Sequence, residues 1–106
     1  MFAREFMKNQ VEELMEKKGL LVDVRTKEEY EEGHLPGALN IPMEEIEDRF
    51  EEECPDKEQY YGLYCHSGGR SEVVTSFLNS IGYVNAKNIG GVISWSGNLE
   101  KTNKIS

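Results

Sequence analysis

Apolar residues in this chain come in short blocks separated by stretches of helical spacing, and that alternation lays out its elements. Leu20-Leu21-Val22-Asp23-Val24 is a compact apolar run of the kind a strand covered on both faces presents, with Asp23 as its polar exception. Ala38-Leu39-Asn40-Ile41, Gln59 to Tyr64 and Ala86-Lys87-Asn88-Ile89 read as three more short strands; Pro42 closes the first and Gly90-Gly91 breaks the last. Ala3 to Met7 is a candidate for a short edge strand. Asn9, with Glu12 three residues on, has the spacing of an N-cap opening a helix from Gln10 to about Lys18, with Val11, Leu14 and Met15 on one face and Gly19 as its stop. Thr26-Lys27-Glu28-Glu29 is a full capping box, which predicts a helix from Lys27 to about Glu32 ending at Gly33, followed by a turn at His34-Leu35-Pro36-Gly37. Met43, Ile46 and Phe50 mark a helix with one apolar stripe. Val73, Val74, Phe77, Leu78 and Ile81 mark another, from Ser71 to about Ile81, which Gly82 ends. Val92 to Trp95 fits one short turn of helix, and Leu99 to Ser106 is a polar tail.

Short strands alternating with helices predict an α/β fold built of parallel βαβ units with right-handed crossovers and helices on both faces of the sheet. In such a sheet the strands all end on one edge, so Asp23, Ile41, Tyr64 and Ile89 finish together, and ligands bind beyond that edge. Arg25, Pro42-Met43 and Gly90-Gly91-Val92 then form the rim. The same alternation assigns Gly33–Gly37 and Cys54–Lys57 to the opposite edge. His34 is accordingly read as a turn histidine bonded to backbone, not as a general base. Cys54 precedes a strand spanning about 20 Å, too far for a bond to the cysteine that follows the strand.

Composition narrows the picture. With 106 residues, 38% of them hydrophobic, and no linker-like stretch, residues 1–106 are expected to form a single domain. A formal net charge of -8 argues against nucleic acid or an anionic membrane surface as partner. The acidic face at Glu44, Glu45, Glu47, Asp48 and Glu51 reads as solvated surface. The first residues lack the apolar core of a secretory signal and no run approaches a transmembrane length, so a cytoplasmic protein, expected as a monomer, is the default. Its two cysteines are then expected to be reduced, and no Cys/His cluster has metal-ligand spacing.

The candidate chemistry lies in Leu63-Tyr64-Cys65-His66-Ser67-Gly68-Gly69-Arg70-Ser71. A cysteine ends an apolar run and a short loop leads into a helix. Gly68 and Gly69 allow the loop amides to converge, and the helix N-terminus adds unpaired N–H groups and partial positive charge. Such surroundings lower a thiol pKa from about 8.5 into the range ~3.5–7.5, which makes Cys65 a candidate nucleophilic thiolate. Ser71 is positioned either to hydrogen-bond the sulfur or to cap the helix, and Arg70 either to steer an anion or to fold back into a salt bridge.

These segments, together with Leu21-Val22-Asp23-Val24-Arg25, Glu29-Tyr30, Gly33 to Pro42, and Gly90-Gly91 with Trp95, resemble the motifs of the rhodanese family in its single-domain form, in order and over almost the whole chain. The resemblance implies a five-stranded parallel sheet and transfer of sulfane sulfur from thiosulfate or a persulfide to a thiol or cyanide acceptor, with no metal or organic cofactor. It implies that Cys65 carries the persulfide, that His66, Ser67, Gly68, Gly69 and Arg70 form the loop holding it, that Ser71 starts the next helix, and that Asp23 and Arg25 are scaffold behind the loop. The expected partners are a small anionic sulfur donor and a thiol acceptor, which a protein thiol can also supply. His66 stands where the family often has a basic residue, which makes the charge there weaker and pH-dependent. The alternatives are an interaction or sulfur-carrier module on the same fold, and a phosphatase or arsenate reductase relative. Phosphatases of this architecture place five residues between cysteine and arginine; Cys65 and Arg70 enclose four, a smaller cradle better matched to a sulfur atom.

Overall fold

The structure, a computed structural model, describes residues 2–102. Four strands, β1 (Leu20–Asp23), β2 (Leu39–Asn40), β3 (Tyr61–Cys65) and β4 (Ala86–Gly91), form one parallel sheet in the order β2-β1-β3-β4. Helices α1 (Phe2–Glu16), α2 (Lys27–Glu32), α3 (Ile46–Glu53) and α4 (Gly69–Ser80) alternate with them, α3 being led in by a 3-10 turn at Met43–Glu45. This is the α/β architecture that the apolar blocks predict.

Because side chains alternate along a strand, β1 and β3 feed two cores. Val22, Leu63 and Cys65 face Ile46 and Phe50 of α3 and Val74 and Leu78 of α4. Leu21, Tyr64 and Ile89 face Met7, Val11 and Leu14 of α1. With both faces covered, every residue of β3 is buried, which is why its sequence reads as a nearly unbroken apolar run. Phe50, Tyr61 and Tyr83 meet edge to face, with ring centroids 4.9 to 5.7 Å apart, at the end of the sheet remote from Cys65.

The N-terminal edge strand does not form. Ala3 to Met7 belongs to α1, so the sheet has four strands instead of five, and Asn9 lies inside the helix instead of capping it. Met7, Val11 and Leu14 form the buried stripe at i, i+4 and i+7, while Met15 is exposed. Ala3-Arg4-Glu5-Phe6-Met7 contains no β-branched residue and continues that helical period toward the N-terminus. The helix stops one residue earlier than Gly19 suggests: Lys18 takes the left-handed conformation (φ 56°), and the Gly19 and Lys18 amides donate to Leu14 and Met15 carbonyls, a Schellman ending.

Two loops also differ from expectation. The Gly33–Gly37 segment does not cross to the far edge: the Gly33 carbonyl accepts from Arg25 Nη2 at 2.6 Å, and the Leu35 amide donates to the Tyr64 hydroxyl at 3.0 Å. With six residues α2 is only about 9 Å long, too short to carry the chain back down the sheet, and β2 pairs only with the last two residues of β1. Cys54–Lys57 does lie at the far edge, where Cys54 and Asp56 carbonyls accept from the Tyr83 and Tyr61 hydroxyls. Gly90-Gly91 does not end the last strand; the register steps from Leu63–Asn88 to Tyr64–Gly90, leaving Ile89 as a bulge, with Gly90 at φ 114°.

Beyond Gly97 the polar tail is docked, not loose. Glu100 pairs with His34 through two backbone hydrogen bonds, and the Thr102 amide donates to the Glu31 carbonyl. The rest of the predicted tail, 103–106, lies outside the described residues.

Candidate active site

Cys65 is the last residue of β3, and its side chain sits under the turn into α4, nearly sealed from solvent. The turn is tighter than the sequence implies. The helix begins at Gly69, with Gly68 as the N-cap at φ 106°, a conformation that suits glycine, and the Gly68 amide donates to Cys65 Sγ at 3.0 Å. Ser71 is therefore the third helical residue and not the cap. Its hydroxyl lies 3.5 Å from Cys65 Sγ, 3.1 Å from the Gly68 carbonyl and 2.7 Å from Asn88 Oδ1. Burial alone would push the Cys65 thiol up; hydrogen bonds from the Ser71 hydroxyl and from the Ser71, Gly68 and Ser67 amides outweigh it, so the thiol ionises below its ordinary value.

The floor beneath this turn is the backbone of β4. A side chain at Gly91 would collide with the His66 carbonyl and Ser67 Cα, and the Ile93 amide donates to the His66 carbonyl at 3.2 Å. The bulge at Ile89 re-aims the end of β4 beneath the loop. Asn88 ties the parts together: its Nδ2 donates to the Gly68 carbonyl at 3.1 Å and to Glu72 at 3.2 Å, and its Oδ1 accepts from the Gly90 amide at 3.0 Å.

Arg70 resolves its two options by folding back. Its guanidinium makes a two-pronged ion pair with Glu29, at 2.8 and 3.0 Å. That carboxylate also accepts from the Thr26 amide and hydroxyl, at 3.0 and 3.2 Å, as half of the capping box of α2. The Arg70 bond, followed by those from Thr26, outweighs partial burial and holds the Glu29 carboxyl down to about 2. Asp23 and Arg25 form a second, fully buried pair: Arg25 Nη2 lies 2.7 Å from Asp23 Oδ2 and its Nε 3.1 Å from each Asp23 oxygen, while the same Nη2 binds the Gly33 carbonyl. They fasten the end of β1 to the end of α2. Arg25, Glu29, Glu32, Gly33 and His66 line an open recess of about 370 Å³ beside the loop, with Leu99 of the docked tail on its wall.

His34 stacks on Tyr30 and its Nδ1 lies 2.8 Å from the Tyr30 carbonyl, as a turn histidine would. Cys54 is a free, buried thiol pushed up to about 11 by burial and by neighbouring Glu53. Asn88 and Glu29 are the site residues that sequence reasoning passed over. A lone asparagine near the end of a strand was the available signal for the first, and the capping box absorbed the second. Among the described residues no group of His, Cys, Asp or Glu converges as metal ligands would, and no helix is long and apolar enough to cross a membrane.

A family model described as Rhodanese-like domain matches residues 7–98, nearly the whole described chain. The chain belongs to the rhodanese family. Thiosulfate sulfurtransferase PspE of Escherichia coli strain K12 is 37% identical over 71 residues, which are 67% of this chain and 68% of PspE. A putative sulfur carrier protein of Bacillus subtilis strain 168, YrkF, is 38% identical over 81 residues; these are 76% of this chain but 43% of YrkF. The crystal structure of a rhodanese-like domain protein from Staphylococcus aureus superposes with a TM-score of 0.78 at 35% identity, covering 92% of this chain and 95% of that one.

Proposed function

We propose that this protein is a sulfurtransferase that carries sulfane sulfur as a persulfide on Cys65. The observation that carries the reading is a buried thiol whose Sγ receives the Gly68 amide at 3.0 Å, with the Ser71 hydroxyl beside it, an arrangement that favours the thiolate. Burial ordinarily suppresses a thiolate, so donors directed at this sulfur are what make it a nucleophile. Cys65 attacks the outer sulfur of the donor, the donor S–S bond breaks, and its electron pair leaves on sulfite or on a thiolate. The new terminal sulfur, also an anion, is stabilised by the preorganised amides of the turn. An acceptor thiol or cyanide then takes it in a second displacement.

The match to a putative sulfur carrier favours a second reading, in which the persulfide is handed to a protein thiol instead of being turned over freely. A phosphatase reading is weakened further by Arg70, which is committed to Glu29 and not aimed into the loop.

Intact mass after incubation with thiosulfate or an alkyl persulfide tests the proposal. One added sulfur atom is expected on the native chain and on Cys54→Ser, and none on Cys65→Ser. Sulfur appearing on Cys54 alone would sink it.

A further inference from the structure

Three groups near the loop can carry positive charge, and two are already neutralised. Arg25 is buried against Asp23 and the Gly33 carbonyl. Arg70 is held through two nitrogens by the two oxygens of Glu29. Glu29 is not a casual partner, because the Thr26 amide and hydroxyl fix it from the other side, so releasing Arg70 means breaking a capping box or leaving a carboxylate without its cation. His66, exposed at the recess, adds charge only when protonated. Glu32 lines the same recess, and the whole chain carries a formal net charge of -8. A dianion approaching Cys65 therefore meets paired cations, an uncompensated carboxylate and a repulsive long-range field.

We propose that Glu29 is a specificity-determining residue: by holding Arg70 it withholds that cation from the donor, and the site draws sulfane sulfur from persulfides of low charge in preference to the thiosulfate dianion. This rests on the sulfur-transfer reading above and names its donor class. With a hydropersulfide R–S–SH, the Cys65 thiolate attacks the terminal sulfur and a new S–S bond forms. The donor S–S bond breaks with its electron pair on R–S⁻, which takes up the persulfide proton and departs as R–SH. No second negative charge has to pass the carboxylates, whereas thiosulfate brings two charges in and sulfite carries two out.

The test compares kcat/KM for thiosulfate and for the persulfide of 2-mercaptoethanol, with cyanide as common acceptor. Glu29→Gln keeps the capping-box hydrogen bonds but removes the charge that holds Arg70. It is expected to raise kcat/KM for thiosulfate about fivefold to tenfold, a dianion's response to one nearby unit charge, and that for the persulfide by less than about twofold. Glu32→Gln, which removes a charge without freeing a cation, should do distinctly less. Arg70→Gln is expected to cancel the gain when added to Glu29→Gln. In the unsubstituted chain, added salt should raise the thiosulfate value relative to the persulfide value, because it screens repulsion. Equal effects of Glu29→Gln on both donors, an equal gain from Glu32→Gln, or a fall in the thiosulfate value with salt would each overturn the proposal. If neither donor puts sulfur on Cys65, the sulfur-transfer reading itself falls; if both do and the donor ratio ignores Glu29, only the specificity assignment falls.

Discussion

Ser71 has one hydroxyl proton and three acceptors around it, and the distances rank Asn88 first and Cys65 last. As negative charge builds on the sulfur, the ranking shifts toward it, since a bond to an ion is stronger than one to a neutral amide. Ser71→Ala is therefore expected to raise the Cys65 pKa through the loss of that hydrogen bond, read as an upward shift in the pH profile of iodoacetamide alkylation. The sequence showed the candidate residues here but not their partners. It left Ser71 between cap and sulfur ligand and Arg70 between anion and scaffold, because each choice depends on what a distant segment offers. Asn88 and Glu29 are those offers, 17 and 41 residues away from Ser71 and Arg70.

The elements were legible where the signal was local. The capping box at Thr26–Glu29 gives α2 the bounds its residues predict, since both halves of the box lie within four residues of chain. The N-terminal segment misled because Asn9 and Glu12 have the spacing of a cap, while the residue that decides, Met7, continues the stripe of Val11 and Leu14 and is buried with them against the sheet. Gly90-Gly91 misled in the opposite sense: glycines that ordinarily break a strand here form a bulge and a bare stretch of backbone against which the cysteine turn rests. Gly91→Ala should push that turn off its floor. Overpacking of this kind costs about 1–3 kcal/mol, so a lower urea midpoint is expected together with at least about a tenfold loss of sulfur loading. Unchanged loading would mean that β4 does not shape the turn.

Across the whole molecule the two thiols, one at the C-terminal cap of α3 and one at the end of β3, are driven in opposite directions. Cys54, at the edge remote from the turn, would ionise at 9.0 when exposed but is held up to about 11 in the fold, chiefly by burial. The folded chain keeps that proton where the unfolded chain has lost it, so the stability gained from burying a neutral thiol is present below about 9 and drains away as pH climbs toward 11. Cys65, whose pKa is lowered, acts with the opposite sign while its unfolded thiol is still ionising around 9.0 and adds no slope once that ionisation is complete, so the fall belongs to the upper part of the window. Urea midpoints are expected to fall there, and less steeply in Cys54→Val; an equal fall in the variant would assign the effect to the buried Tyr61 and Tyr83 hydroxyls, which burial also holds up. The sheet order and both cores follow from apolar runs that any reader of the chain can find, whereas the fold-back of residues 33–37 depended on how little distance α2 can cover. The docked stretch through Thr102 has an architectural corollary. Since Glu100 is stitched to His34 and Leu99 walls the recess that His66 borders, the stretch after Gly97 is part of the surface beside the cysteine turn. Trimming Leu99 to alanine would accordingly widen that recess while leaving the turn itself untouched.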